Sequence, residues 1–217
     1  MRRRKWLRAA LCLVVLSAGG CFGAVERGDF EQGLRARGGG LVNGLTDSAV
    51  TAVRERLGTT DFQANVMLLI APNSTQFRLV LSDQPEQVTR FFSAWPDPTA
   101  RQAVVRLRVR DPDGARRLDD YSFTLGALSA PQPVRVSAFD DIDSEGFMVS
   151  EVPGLAHIED IVDSALVRSG LADGQVTVIV VSRFGHEIRI VANVSSPRTD
   201  MVAEFDRVGA FLRIQQV

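Results

Sequence analysis

The chain has 217 residues, of which 45% are hydrophobic and 24% charged, and its formal net charge is −1. These proportions disfavour a disordered, collagen-like, coiled-coil or polytopic membrane protein. The first 20 residues hold five basic residues and no acidic one, so residues 21–217 carry 20 basic against 26 acidic residues, a net charge of −6. An acidic body disfavours a nucleic-acid partner, because binding to phosphates needs clustered positive charge.

The N-terminus has the layout of an export signal. Basic residues come first, an apolar run covers residues 9–16, and small residues occupy 17–20. The apolar run is too short to cross the ~30 Å hydrocarbon core of a bilayer. Residues 1–20 are therefore predicted to be a signal peptide that sends the body out of the cytoplasm. Adjacent Arg3 and Arg4 leave both the Sec and the twin-arginine routes open.

The position of Cys21 is the sharpest feature of the sequence. Cys12 lies inside the signal, and residues 22–217 contain no cysteine, so the exported chain cannot form an internal disulfide. The segment Ala18-Gly19-Gly20-Cys21 resembles the lipobox of bacterial lipoproteins, with Ala18 where leucine is usual. The resemblance implies that Cys21 is diacylated on sulfur and anchors the protein to the extracytoplasmic side of the cell membrane. Ordinary signal cleavage after Gly20 is the alternative.

Composition divides the remaining chain into four segments. Residues 21–40 are rich in glycine and charge, and they are predicted to be a flexible tether. A first α+β module is predicted at 41–140 and a second at 155–217, with an acidic linker at 141–154 between them.

The second module shows the clearer pattern. A single apolar stripe with helical spacing ends before Gly170, and it consists of Ile158, Ile161, Val162, Ala165 and Leu166. Four strand-like runs follow at 176–182, 187–194, 201–205 and 210–215. A helix followed by an antiparallel meander predicts a helix packed on one face of a sheet.

The first module has a similar order with additions. Ala49, Val50, Val53 and Leu57 predict a helix that stops at Gly58. Strands are predicted at 62–70, 76–81, 88–95 and 103–110, and an extra hairpin at 118–125 and 134–139. Alternation in the run 103–110 predicts an apolar inner face and an outer face on which the arginines meet solvent.

The predicted fold class is α+β, with two related modules that each place a helix on an antiparallel sheet, plus the extra hairpin after the first. Both helices contain similar tetrads, Asp47-Ser48-Ala49-Val50 and Asp163-Ser164-Ala165-Leu166. In element order alone the arrangement looks like the PepSY-like and cystatin-like domains of bacterial envelope proteins. Any function taken from that likeness is analogy.

Few residues qualify as a chemical site. Asp141, Asp143 and Glu145 match positions 1, 3 and 5 of a calcium loop, but position 12 is Val152 instead of a bidentate glutamate. We therefore predict no metal or cofactor and keep the three carboxylates as candidates only. His157 and His186 are predicted at a helix start and in a turn, as ordinary surface histidines.

The aromatic residues of the first module allow two interpretations. They are Phe91, Phe92, Trp95, Tyr121 and Phe123. If they face outward they line a groove for a lipid, glycan or peptide, whereas half-buried strands normally turn aromatic side chains into the core. We expect the core.

The sequence thus predicts a lipid-anchored, non-enzymatic binding module of the cell envelope, whose partner is a protein or a small apolar ligand. One alternative is a lipid or lipoglycan carrier with an apolar cavity. Another is a hydrolase with a non-standard site, which would need His157, His186 and the acidic run at 140–145 to converge.

Overall fold

The computed structural model describes residues 29, 32–33, 36–72, 74, 85–93, 101–114, 116–138 and 140–217. The compact body is Gly33–Val217. The predicted signal peptide and Cys21 lie outside the described residues. Within the predicted tether, Asp29, Gln32, Gly33, Ala36 and Arg37 are helical, and residues 38–40 form a turn.

One antiparallel sheet of ten strands forms the centre of the described body. Its strands are β1 (Gln63–Ile70), β2 (Val104–Arg110), β3 (Leu118–Thr124), β4 (Ala127–Leu128), β5 (Gln132–Val134), β6 (Phe147–Met148), β7 (Gln175–Phe184), β8 (Glu187–Ser195), β9 (Asp200–Asp206) and β10 (Phe211–Gln216). Their order is β10-β9-β8-β7-β1-β2-β3-β4, with β5 paired to β3 and β6 to β1. The pair β1 and β7, near the middle, joins the strands of the two halves of the chain.

Four α-helices accompany the sheet in the described residues: α1 (Asn43–Leu57), α2 (Glu86–Ser93), α3 (Ile142–Glu145) and α4 (Ile158–Ser169). The α+β class is confirmed. The predicted helices α1 and α4 both end at a glycine with positive φ, Gly58 and Gly170, which takes the left-handed conformation without steric cost. None of the described helices is long and apolar enough to span a membrane.

The first face of the sheet carries the larger core, and α1 and α4 cover it. The predicted stripe of α4 is confirmed, because all five of its apolar residues are buried. They pack with inward side chains of the strands such as Met67, Leu107 and Ile179. Since β-strands alternate, the residues between these positions point to the second face.

The second face is covered by α2, which replaces a predicted strand. Val88 and Phe91 of α2 are fully buried against Val66, Leu68 and Val180 of the sheet. The prediction of a strand at 88–95 is therefore wrong for the described residues up to 93. The strand predicted at 76–81 lies outside the described residues.

The extra hairpin is present but shorter on its return. After β3 the chain turns at Leu125 and Gly126 into the two-residue strand β4, and β5 then pairs with the start of β3. Residues 135–138 are not in a strand, contrary to the predicted return strand at 134–139.

Residues 141–154, the predicted acidic linker, contain α3, β6 and a turn of 3-10 helix at Val149–Glu151, followed by the start of a second at Pro153–His157. β6 pairs with β1, and the Asn65 side chain donates from Nδ2 to the Ile142 carbonyl at 3.1 Å. This segment is therefore bonded directly to a central strand.

Candidate functional site

A cleft of about 370 Å³ opens on the second face of the sheet, between α2, the start of β3 and the segment after β5. Eight of its thirteen lining residues are polar or charged; the lining comprises Gln87, Arg90, Arg108, Leu118, Asp120, Gln132, Pro133, Val134, Arg135, Val136, Asp140, Ile142 and Glu145. We call this surface the charged cleft. Three of its side chains are guanidinium groups and three are carboxylates, so their formal charges cancel at neutral pH.

The floor of the charged cleft is an ion pair between neighbouring strands. Arg108 of β2 lies directly opposite Asp120 of β3 in the register. Its Nε and Nη2 donate to the two carboxylate oxygens at 2.8 and 2.9 Å. Both side chains are largely buried, so this two-point contact holds the guanidinium in one orientation.

The arginines of β2 do not form the solvent face that the sequence predicted. Arg106 and Arg108 are 5% and 7% exposed, and their guanidinium carbons lie 4.4 and 4.9 Å from the centre of the Phe91 ring. Burial lowers the pKa of Arg106 to about 10 even though Asp120 opposes the shift. The correction follows from α2, which covers this face and supplies an aromatic ring for the two cations.

Arg90 of α2 forms one wall of the charged cleft and holds two carboxylates. Its guanidinium donates to Asp140 and, at 3.1 Å, to Glu145. A backbone hydrogen bond from Ser137 and the contact with Arg90 lower the pKa of Asp140. Burial raises the pKa of Glu145 despite Arg90, and the charge of Asp140 adds to that effect.

The three calcium-loop candidates each have a different protein partner. Asp141 caps α3 by accepting from the Ser144 amide at 3.2 Å, Asp143 accepts from Arg110 at 2.5 Å, and Glu145 accepts from Arg90. No group of three or more histidine, cysteine or acidic side chains among the described residues is arranged to hold a metal ion.

Arg135 differs from the other two arginines of the charged cleft. Its side chain lies on the rim and is exposed, and no described residue forms a hydrogen bond or ion pair with it. The neighbouring Gln132 amide is also exposed. An acidic group that enters the charged cleft can therefore meet an exposed guanidinium without breaking an ion pair between described residues.

A second cleft, of about 350 Å³, lies where β1 begins and β2 ends. It is lined by Thr59, Asp61, Phe62, Gln63, Arg110, Asp111, Pro112, Gly114 and Met148. Its carboxylate Asp61 already accepts hydrogen bonds from the amide and hydroxyl of Ser150. Its other carboxylate, Asp111, accepts a hydrogen bond from the amide of Asp113 at 2.9 Å.

The two histidines lie outside both clefts. His157 precedes α4 and its Nδ1 is 3.5 Å from Asp160, with both side chains well exposed. His186 is exposed in the turn between β7 and β8. Among the aromatic candidates, Phe91, Tyr121 and Phe123 are buried, as expected for core residues, whereas Trp95 lies outside the described residues.

Sequence reasoning did not identify Arg90, Asp120 or Arg135 as parts of one site. The one available signal was the helical spacing of Val88, Phe91 and Phe92, which places Arg90 beside the buried side of a helix. Arg108 and Asp120 lie opposite each other because of the register between β2 and β3, and this register is known only from the folded structure.

No protein-family model, curated protein or solved structure matches the chain.

Proposed function

We propose that this protein is a lipid-anchored, extracytoplasmic binding module that takes an acidic segment of a partner protein in the charged cleft. The observation that carries the proposal is the exposed guanidinium of Arg135, which no described residue pairs with, on the rim of a cleft whose other charges are already paired. An acidic side chain would add a charge-assisted hydrogen bond there, and the fixed ion pairs would leave the shape of the cleft unchanged.

The proposed ligand differs in polarity from the apolar ligand considered for the sequence. Lining side chains such as Leu118 and Ile142 are apolar, but Arg90, Arg108 and Asp120 surround them with fixed charge. Burying a hydrocarbon chain against these groups would remove their solvation without replacing it. A partner protein fits the charged cleft better than a free lipid does.

Anchoring through Cys21 supports the same proposal. A diacylated cysteine holds a protein stably on a membrane, because two chains exceed the marginal affinity of one. Confinement to the membrane surface raises the effective concentration of the charged cleft toward partners in the same membrane.

Two related modules, at 41–140 and 155–217, remain our proposal for the origin of the sheet. Each half has a helix that precedes its first long strand, α1 before β1 and α4 before β7, and both helices lie on the same face. The strands β1 and β7 are neighbours and antiparallel, which is the relation expected across a pseudo-two-fold axis.

The cleft is tested by replacing Arg135 with Glu. We expect at least a tenfold loss of partner recovered from detergent-solubilised membranes, because the substitution turns attraction for an acidic group into repulsion. The matched control is Arg198→Glu, an exposed arginine in the turn between β8 and β9. Equal recovery of the same partner by the wild type and both variants would refute the cleft as the binding site.

Anchoring is tested by replacing Cys21 with Ala. We expect the variant to carry no fatty-acyl mass and to be released from the membrane fraction, because no acyl chain can be attached at position 21. Intact mass measurement of the wild type should show a fatty-acylated Cys21. An unmodified cysteine at the mature N-terminus would mean that the ordinary signal-cleavage alternative is correct.

A further inference from the structure

The turn between β3 and β4 is unusual in its residue choice. Thr124 and Ala127 pair across it, so Leu125 and Gly126 form a two-residue turn, and their φ angles are 54° and 76°. Positive φ at both positions is the pattern of a type I′ turn, which favours asparagine, aspartate or glycine. Leu125 is the only non-glycine residue with positive φ in the described part of the chain, so a branched apolar side chain occupies a strained position.

This leucine is also the most exposed large apolar side chain among the described residues. It is 78% exposed, and Gly126 and Ala127 beside it are exposed as well. The β3–β4 turn lies within residues 121–134, which contain no charged residue, although 24% of the chain is charged. An uncharged tip that ends in a protruding leucine suits an apolar or interfacial environment better than water.

The tip lies at the end of the sheet where the chain joins the body. A Cβ atom on Gly40 would lie 3.9 Å from Cβ of Ala103, just before β2. The carbonyl of the same Ala103 accepts a hydrogen bond from the Thr124 hydroxyl at 3.4 Å, at the end of β3. The start of β2 therefore lies between residues 38–40 and the turn that carries Leu125.

The opposite end of the sheet carries a comparable side chain far from this point. Val208, in the turn between β9 and β10, is 47% exposed. The antiparallel register places that turn with the end of β7 and the start of β1, at the other end of the strands from Leu125. Val208 is therefore a matched reference for an exposed apolar side chain that points away from the junction with the tether.

We propose that the β3–β4 tip, with Leu125 at its apex, contacts the surface of the bilayer to which Cys21 is anchored. This inference rests on the proposed function, because it requires the acylated cysteine. Cys21 precedes Gly38 by 17 residues, so the sheet end that carries Leu125 stays within at most about 60 Å of the membrane. One leucine contributes too little to bind a membrane alone, but once the anchor confines the body it can bias the orientation of the sheet.

The test uses the absence of other cysteines from the mature chain. Leu125→Cys and Val208→Cys are each labelled with an environment-sensitive fluorophore in the purified, acylated full-length protein, whose Cys21 sulfur is blocked by its lipid. Both are reconstituted into phosphatidylglycerol–phosphatidylcholine vesicles that contain spin-labelled lipid. We expect quenching at position 125 to exceed that at position 208 by at least about threefold, because only the tip reaches the interface.

A second experiment tests the contribution of the Leu125 side chain itself, because the label is placed at a neighbouring position and the leucine is kept. With the label at position 127 in Ala127→Cys, adding Leu125→Asn should reduce quenching by about half or more, because asparagine suits the turn but not the lipid interface. Acylated protein that floats with vesicles but shows equal quenching at 125 and 208 would overturn the inference and leave the proposed anchor intact. A mass that shows no acyl chain on Cys21 would overturn both.

Discussion

Replacing Phe91 with Ala is expected to lower the free energy of unfolding by about 3–5 kcal/mol, the usual range for removing a fully buried phenylalanine. Phe91 has no exposed surface and, together with Val88, packs α2 against the sheet. Two buried guanidinium groups, those of Arg106 and Arg108, rest on its ring. Without the ring, two largely buried cations lose a partner, so the electrostatic cost adds to the cost of the cavity.

Phe91→Leu separates the two contributions, because leucine keeps most of the apolar volume but has no aromatic face. We expect it to cost about 1–2 kcal/mol, clearly less than the alanine variant. Urea unfolding followed by circular dichroism gives both values. If Phe91→Ala unfolded within about 0.5 kcal/mol of the wild type, α2 would not be held to the sheet in the way described here.

Replacing Glu204 with Gln is expected to cost about 2–3 kcal/mol at neutral pH, because charge-assisted hydrogen bonds are the strong ones. Glu204 of β9 is 5% exposed and lies between arginines of both neighbouring strands. Arg189 of β8 donates to it at 2.6 Å and Arg213 of β10 at 2.8 and 2.5 Å. One carboxylate thereby links three strands near the edge of the sheet, and a neutral amide cannot satisfy both cations.

The loss of unfolding free energy in Glu204→Gln should decrease as the pH falls. Burial alone would raise the pKa of Glu204, but the hydrogen bonds from Arg213 and Arg189 outweigh it and hold the pKa below its usual range. A lowered pKa means that the stabilisation is present above the ordinary glutamate value of about 4.3 and is lost as the pH falls through the lower folded-state value. The difference between wild type and Glu204→Gln should therefore shrink toward zero in acid.

Glu187→Gln provides the matched control for that measurement. Glu187 accepts a hydrogen bond from the same Arg189 at 3.0 Å, but its side chain is 70% exposed. Exposed pairs contribute little, so we expect the free energy of unfolding to change by less than about 0.5 kcal/mol. A similar loss in the free energy of unfolding for Glu204→Gln and Glu187→Gln would show that Glu204 does not stabilise the protein through its burial between the two arginines.

The spacing of apolar residues was sufficient to predict a helix or strand, and its buried side, wherever only one face of that element is buried. The stripe Ile158, Ile161 and Val162 predicted α4 correctly, because a helix on a sheet needs only a single apolar side. The alternation Val105, Leu107 and Val109 likewise predicted the inward face of β2. Where both faces are covered, the same reasoning failed, and Arg106 and Arg108 were assigned to solvent although α2 buries them.

The α2 segment shows why short elements are ambiguous. Val88, Phe91 and Phe92 follow Pro85 at helical spacing, but valine and phenylalanine also favour strands. An eight-residue helix has little intrinsic stability, so packing of Val88 and Phe91 on the sheet decides its conformation. The charged cleft therefore also depends on this packing, because Arg90 and Gln87 line it only when α2 is a helix.

Spacing between neighbouring residues was enough to predict the helices α1 and α4 and the C-terminal meander, whereas the signal-like N-terminus that ends at Cys21 stays a prediction. Local sequence does not specify that β1 and β7 pair into one continuous sheet, or that Arg90 contacts Asp140 and Glu145, which lie 50 and 55 residues further along the chain. Periodicity reports which side of an element is buried, because that depends on spacing along the chain. It carries no information about which distant element covers that side, because the covering element is selected by packing of the whole chain.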